Sequence, residues 1–143
     1  MADAGSQKIQ FDLVTPTALS VSEPVDMAVV PGAEGDIGAL PGHTPLITTL
    51  RPGLVDIHNG GRVTQSFFVT GGFAEVTPER VTVLAETVEA IADVSVQNAQ
   101  ARLAAAREAL SAAQGGDTTA AEAQVLAAEA LVEAVSARRV AAA

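Results

Sequence analysis

Short runs of alternating apolar and polar positions fill the first ninety residues. Ile9, Phe11 and Leu13 alternate with polar residues, which is the pattern of a half-buried β-strand. Similar runs follow at Val25, Met27 and Val29 and over residues 54–57, 63–69, 73–76 and 81–84. Strands at such short and regular spacing predict an all-β sandwich or barrel.

Turn-forming residues separate these runs. Asn59-Gly60-Gly61 lies between residues 54–57 and 63–69, and it predicts a β-hairpin because Asn and Gly accept the positive φ of tight hairpin turns. Thr77-Pro78-Glu79 divides the last two runs in the same way. The glycine-rich segment over residues 32–38 is predicted to be a loop that carries a contact surface.

The pattern changes near residue 93, after which proline is absent and alanine dominates. Ser95 is a predicted N-cap, because its hydroxyl can accept a hydrogen bond from a first-turn N–H. Gly115-Gly116 is predicted to end this first helix. A heptad seam of alternating large and small residues, which is typical of closely packed helices, comprises Val96, Ala99, Leu103, Ala106, Leu110 and Ala113.

A second helix is predicted from Thr119 and Glu122, which have the spacing of a capping box. Arg138 and Arg139 follow where cations favour a helix C-terminus. Its apolar stripe is Ala121, Val125, Ala128, Val132 and Val135. A short glycine-containing turn makes the two helices antiparallel neighbours, and their small side chains bury little area, so we expect the pair to depend on docking to another surface.

The predicted fold class is therefore α+β, with an N-terminal β-sandwich followed by a C-terminal antiparallel two-helix hairpin. We place the sandwich domain at residues 1–90 and the hairpin domain at residues 91–143. A chain of 143 residues has room for one ordinary core and an appendage, which excludes a multidomain enzyme.

Charge and composition narrow the possible partners. Eight Lys and Arg against seventeen Asp and Glu give a net charge of -9, opposite in sign to what nucleic acids and anionic membranes attract. Aromatic residues make up only 3% of the chain, so base-stacking platforms are scarce. We expect no nucleic-acid partner.

No apolar run approaches the roughly 20 residues of a membrane-spanning helix, and the first residues resemble neither a secretory signal nor a transit peptide.

Candidate chemistry is sparse. His43, His58 and Asp36 suggest a small metal hydrolase, although surface histidines are the commoner explanation. The glycine-rich segment lacks the Lys-Ser/Thr of a phosphate-binding loop, cysteine is absent, and there is no nucleophile elbow. We therefore predict a binding module with no catalytic residue, no metal and no cofactor.

Two segments carry a resemblance to a known family. They are Gly32-Ala33-Glu34-Gly35-Asp36-Ile37-Gly38-Ala39-Leu40-Pro41-Gly42-His43-Thr44-Pro45-Leu46 and Leu50-Arg51-Pro52-Gly53-Leu54. With Thr70-Gly71-Gly72-Phe73 and the run over residues 81–86, they make the chain resemble the bacterial epsilon subunit of F-type ATP synthase, the counterpart of the mitochondrial delta subunit.

This resemblance implies a non-catalytic subunit of the central rotor stalk, which couples rotation of the gamma subunit to the c ring during ATP synthesis. It implies contact with the c ring through Glu34, Asp36 and Gly38 and with gamma through His43. It also implies a single copy rather than a homo-oligomer, and a peripheral position on the cytoplasmic side of the bacterial inner membrane, reached only through the complex.

The alternative implied by the resemblance is an inhibitor of ATP hydrolysis whose hairpin extends towards the alpha and beta subunits. The ATP-sensing motif of the family places Asp and Arg where this chain has Gln97 and Gln100. A neutral Gln loses the charged fork that holds phosphate, and the second helix carries Glu122, Glu129 and Glu133 rather than basic residues. We therefore expect neither ATP binding nor strong inhibition.

Overall fold

A two-layer β-sandwich followed by two helices makes up the structure, a computed structural model that describes residues 7–137. Within that range the strands are β1 Ile9–Thr15, β2 Ala18–Val25, β3 Met27–Gly32, β4 Gly35–Ala39, β5 Leu46–Thr49, β6 Gly53–Asn59, β7 Arg62–Thr70, β8 Phe73–Val76, β9 Arg80–Leu84 and β10 Thr87–Ala90. The short 3-10 helix Ile91–Asp93 leads into helices α1 Val96–Ala112 and α2 Thr119–Ala137. The predicted fold class is confirmed.

The strands form two five-stranded sheets in the described part of the chain. The first sheet has the order β2-β1-β9-β8-β5, with β1 and β9 parallel. The second sheet has the order β10-β7-β6-β3-β4 and is antiparallel throughout. The core lies between them, and Ile9, Phe11 and Leu13 are fully buried there, as their alternation predicts.

One predicted run is interrupted at Asp26, where the chain crosses from the first sheet to the second. Val25 is the last residue of β2 and Met27 the first of β3, so the alternation does not continue across them. The inward residues of β3 are Ala28 and Val30, which are fully buried. The assignment of residues 25–29 to one strand face is therefore wrong.

Side-chain and backbone contacts hold the crossing at Asp26 in place. Its carboxylate accepts hydrogen bonds from Lys8 Nζ at 2.5 Å and from the Gly60 N–H at 2.7 Å. These two hydrogen bonds lower the pKa of the Asp26 carboxyl. The crossing is thus joined to the predicted hairpin turn, where Gly60 and Gly61 have φ values of 63° and 78°.

The helices begin close to their predicted caps. Ser95 Oγ accepts from the Asn98 N–H at 3.0 Å, which confirms it as the N-cap of α1. Thr119 and Glu122 do not form the predicted capping box, because Thr119 is the first residue of α2 and its N–H donates to Asp117 Oδ1 at 3.0 Å. The Thr118 hydroxyl, four residues before Glu122, donates to the Glu122 carboxylate at 3.3 Å. The predicted C-terminal pair Arg138 and Arg139 lies outside the described residues.

The hairpin packs on the outer face of the second sheet. Ala128 and Val135 from the predicted stripe are buried, but so are Leu131 and Ala134, which lie outside it. Their cluster also contains Phe68, Ile91, Val94 and Ala99. Helix α2 therefore has two packing faces, one towards α1 and one towards the sheet. The apolar stripe predicted from the sequence included only some of the residues on these faces. In the described range neither helix is long and apolar enough to cross a bilayer.

Candidate partner-binding surfaces

The glycine-rich segment forms a β-hairpin at the edge of the second sheet. Strands β3 and β4 pair antiparallel, with Gly32 opposite Gly35 and Val30 opposite Ile37. Ile37 packs against the core, while Asp36 and Gly38 are exposed. The prediction of a loop over residues 32–38 is therefore wrong for Gly32 and for residues 35–38, which are strand, and only Ala33 and Glu34 lie in the turn. Glycine content obscured a strand that backbone pairing stabilises.

Gly32 allows the tight closure of this hairpin. A Cβ atom at residue 32 would lie 2.8 Å from the backbone oxygen of Gly35 and 3.0 Å from Ile37 Cδ1. Contacts that short require the neighbouring atoms to move, and one of them belongs to the backbone. The residue is therefore needed for the close approach of β4 to β3, which in turn fixes the position of Asp36.

Arg51 binds both the hairpin turn and Asp36. One guanidinium nitrogen donates to Asp36 Oδ1 at 2.5 Å and the other donates to the Gly32 carbonyl at 2.5 Å. The backbone N–H of Arg51 also donates to the Pro31 carbonyl at 3.0 Å. Sequence reasoning missed Arg51, although it belongs to the second recognised segment. Asp36 is thus half of a solvent-exposed ion pair, and such a pair exchanges partners at a cost of about 1 kcal/mol or less.

His43 lies apart from Asp36, in the connection between β4 and β5. Its Nδ1 donates to the Thr44 carbonyl at 2.6 Å, which leaves Nε2 to meet another group. The loop is fixed to the first sheet because the Gly42 N–H donates to the Pro78 carbonyl at 2.8 Å. The five residues of β4 span roughly 16 Å at about 3.3 Å per residue, and they lie between Glu34 and the loop that carries His43. Glu34 and His43 therefore lie beyond opposite ends of β4.

A second surface is the outer face of the first sheet. The strand register places Leu19 opposite Val14, Val14 beside Leu84, and Leu84 opposite Phe73. We call these four residues the apolar row. Leu19, Phe73 and Leu84 are 61%, 47% and 37% exposed. Sequence reasoning missed the row because each member comes from a different strand and only the register joins them.

The other end of the same face is polar. Asp12 forms an ion pair with Arg80 and accepts from Ser22 Oγ at 2.7 Å. Burial raises the pKa of the Asp12 carboxyl, but hydrogen bonds from Ser22, Gln10 and Arg80 outweigh it and the pKa is lowered. The face is therefore divided into an apolar end and an internally paired polar end.

The comparisons with known proteins identify the family. Residues 8–91 match the family model of the ATP synthase delta/epsilon chain, beta-sandwich domain, which is more than half of the chain. The chain belongs to this family. The resemblance drawn from the sequence is confirmed.

Relatives in the delta/epsilon family include bacterial epsilon chains. The chain is 58% identical to the ATP synthase epsilon chain of Paramagnetospirillum magneticum over 94 residues, which cover 66% of this chain and 71% of that one. It is 51% identical to the ATP synthase epsilon chain of Rhodospirillum rubrum over 90 residues, which cover 63% and 67%.

Solved structures share the fold of this delta/epsilon chain. A chain of the Euglena gracilis mitochondrial ATP synthase, solved as OSCP, F1 and c-ring, aligns with a TM-score of 0.76 at 23% identity, covering 90% of this chain and 81% of that one. A chain of the Tetrahymena thermophila mitochondrial ATP synthase central stalk and c-ring aligns with a TM-score of 0.60 at 14% identity, covering 90% and 97%.

The metal-hydrolase alternative requires a cluster of metal-binding side chains. Among residues 7–137 no three His, Cys, Asp or Glu side chains are arranged to hold a metal ion. His58 lies on β6 opposite Met27 of β3, whereas His43 lies in the loop beside Pro78. The two histidines that the sequence suggested as partners therefore lie beside different sheets. His58 is on a strand of the second sheet, and His43 is in a loop that is hydrogen-bonded to the β8–β9 turn of the first.

In this delta/epsilon chain an ion pair joins the hairpin to the sandwich. Both guanidinium nitrogens of Arg102 donate to the Glu89 carboxylate, at 2.6 and 2.9 Å. The Arg102 hydrogen bonds lower the pKa of Glu89 against the opposing effect of burial. The contribution of the pair to stability is therefore complete above the pKa of an unfolded Glu and is lost only as the pH falls through the lowered pKa of Glu89.

Proposed function

We propose that this chain is the epsilon subunit of a proton-translocating ATP synthase, a non-catalytic part of the central rotor stalk that couples rotation of gamma to the c ring. The observation that carries the proposal is the apolar row on the outer face of the first sheet. A contiguous apolar surface of this kind marks a protein interface rather than a face exposed to solvent. Family membership supports gamma as the protein that covers it.

We assign the apolar row and His43 to gamma, and Glu34, Asp36 and Gly38 to the c ring. The row lies on the first sheet and the His43 loop is hydrogen-bonded to the turn between β8 and β9 of that sheet, while β4 is the edge of the second. The division supports two partners on different sides of the sandwich. Asp36 would leave Arg51 for a basic side chain of the c ring, an exchange between charge-assisted hydrogen bonds of similar strength.

The division into a sandwich domain at residues 1–90 and a hairpin domain at 91–143 is part of the proposal. Under it, the sandwich carries the rigid contacts and the subunit lies on the cytoplasmic side of the bacterial inner membrane through the complex alone. The inhibitory alternative has less support, because Glu122, Glu129 and Glu133 are exposed on α2 and would meet acidic surfaces with like charge.

We expect the purified chain to bind an alpha-beta-gamma head from its own source with one copy per gamma and submicromolar affinity. Size-exclusion chromatography followed by quantitation of each subunit measures the ratio. A head assembled without gamma is the control and should retain none of the chain. Absence of binding to the gamma-containing head would contradict the rotor-stalk proposal.

Replacement of both acids of the β3–β4 hairpin, Glu34→Gln in the turn with Asp36→Asn in β4, should weaken coupling to the c ring while leaving the head complex intact. The two neutral side chains have nearly the same size as the acids they replace but remove the charge that a basic c-ring loop would meet. The measurement is ATP-driven proton pumping per ATP hydrolysed, which should fall by roughly half or more, since a charged hydrogen bond contributes about 1.5–3 kcal/mol. Glu79→Gln, in the turn between β8 and β9, is the matched control; an equal loss there would overturn the c-ring assignment.

A further inference from the structure

Strand β4 is the edge of the second sheet, and it is paired on one side only, with β3. The register with β3 is continuous over all five residues of β4, without a bulge. Edge strands are usually protected from further pairing by proline, lysine or a bulge. None of these protections occurs in Gly35–Ala39, whereas the edge strand β2 of the first sheet contains Pro24. The free side of β4 is therefore open to another strand.

Pro31 determines which backbone groups of β4 point outwards. It lies opposite Asp36 and has no N–H, so these two residues cannot exchange the two hydrogen bonds of a hydrogen-bonded antiparallel pair. The Pro31 carbonyl accepts from the Arg51 N–H at 3.0 Å, which shows that it points away from β4. The N–H and C=O of Asp36 therefore point to the free side of the strand. The alternation of an antiparallel ladder gives Gly38 the same direction and turns Ile37, between them, towards β3.

Two backbone donors and two acceptors thus lie along the free side of β4. They belong to Asp36 and Gly38, which are both exposed, and they repeat at about 6.6 Å, the two-residue period of a strand. An antiparallel segment of three extended residues can pair with all four groups, as in other proteins that bind a peptide at a sheet edge. Gly38 has no side chain, which allows another backbone to approach closely.

The charge beside this edge favours a basic segment. A cavity of about 150 Å³ next to β4 is lined by Asp36, Asp56, Glu133 and Arg51, so three carboxylates and one guanidinium surround it. A second copy of this chain, paired through its own β4, would bring another Asp36 carboxylate to the same face, where like charges repel. A segment with Lys or Arg would instead balance the excess of negative charge, since a basic side chain forms charge-assisted hydrogen bonds with carboxylates.

We propose that a loop of the c ring adds to β4 as a sixth strand of the second sheet, with its backbone paired to Asp36 and Gly38 and a basic side chain beside the Asp36 carboxylate. This inference rests on the proposed function, which assigns these residues to the c ring, and it adds the way in which they bind. The backbone of β4 contributes affinity, while Asp36 selects a basic residue in the partner.

Gly38→Pro tests the strand addition, because it removes an outward backbone donor. Gly38→Ala is the matched control, since its Cβ would lie 3.4 Å from Met27 Sδ, an ordinary contact, and it keeps the N–H. The φ of Gly38 is not positive, so both residues fit the strand. Gly38→Pro should weaken binding of the alpha-beta-gamma head that carries the chain to the detergent-solubilised c ring at least about fivefold, the factor for one backbone hydrogen bond. Gly38→Ala should change this affinity less than twofold.

Amide hydrogen exchange, read residue by residue by mass spectrometry, reports on the edge directly. In the free chain the amides of Asp36 and Gly38 should exchange fast and that of Ile37 slowly, because only Ile37 donates to β3. In the complete ATP synthase the two outward amides should slow at least about fivefold. They should stay fast in the alpha-beta-gamma head that carries the chain without the c ring.

Equal affinities of the Gly38→Pro and Gly38→Ala variants for the c ring would overturn the strand addition. Slowing of the outward amides in the head without the c ring, or dimerisation of the free chain through β4, would identify another occupant and overturn it as well. Failure of the parent chain to bind the gamma-containing head would contradict the rotor-stalk proposal itself, and this inference with it. The two failures are therefore distinguishable, since only the second is seen with the parent chain and the head.

Discussion

Gly72→Ala should destabilise the sandwich by at least about 3 kcal/mol, because it adds strain and a backbone collision at one position. Gly72 has a φ of +95°, and a Cβ there would lie 1.8 Å from the carbonyl oxygen of Leu84. The residue cannot move away freely, since its own carbonyl accepts a hydrogen bond from the Leu50 N–H at 3.0 Å. The turn between β7 and β8 is thus pressed against the end of β9.

Chemical unfolding followed by circular dichroism measures the loss at Gly72, since the chain has neither Trp nor Tyr for fluorescence. Gly60→Ala is the control, because Gly60 has a φ of +63° but no atom within 4 Å of the added Cβ. It should cost only the conformational strain of about 1–2 kcal/mol. If the two variants lost the same free energy, the contact between residue 72 and the Leu84 backbone would be wrong.

Phe73→Glu combined with Leu84→Glu should reduce binding to the gamma-containing head at least about 100-fold, since apolar residues at the centre of an interface each contribute around 2 kcal/mol when they act as anchors. The two side chains are neighbours on β8 and β9 and are 47% and 37% exposed. Their outward position leaves the core unchanged, so the free energy of unfolding should fall by only about 1 kcal/mol, the cost of placing two like charges opposite each other on β8 and β9. Isothermal titration calorimetry with the head measures the affinity.

Leu126→Glu is the control for Phe73→Glu and Leu84→Glu, because it also replaces an exposed apolar side chain with a charged one. Leu126 is an equally apolar side chain on α2 and is 63% exposed, but it lies on the hairpin and not on the first sheet. Binding should change less than about twofold there, as for ordinary surface substitutions within ±0.5 kcal/mol. Undiminished binding of the Phe73 and Leu84 variant, with the fold intact, would remove the apolar row from the gamma interface.

Local periodicity accounts for the elements that the sequence predicted. The alternation of Ile9, Phe11 and Leu13 reports directly which side of β1 is buried, and Asn59-Gly60-Gly61 specifies a turn whose geometry depends only on its own residues. Ser95 caps α1 for the same local reason. Where local preference conflicted with pairing, as in the glycine-rich β4, the prediction failed because a neighbouring strand supplied the hydrogen bonds.

The family resemblance also came from the sequence alone, since its motifs are contiguous. It selected Glu34, Asp36, Gly38 and His43, but it gave no indication that Arg51 already holds Asp36 or that β4 separates the acids from His43. The roles of these four residues in binding stay predictions. The placement of Glu34 and His43 beyond opposite ends of β4 depends on the length of that strand and on the loop contact with Pro78.

The sequence by itself determined that short strands precede two helices, that a hairpin turn lies at Asn59-Gly60-Gly61, and which family the chain belongs to, but it did not predict β2, β4, β5 or β10. The tertiary structure alone decided the crossing at Asp26, the apolar row across four strands, the second packing face of α2 and the Arg102–Glu89 pair. All four depend on which distant segments lie side by side. That register is set by burying the apolar faces of both sheets and of the hairpin together, so no single stretch of sequence encodes it.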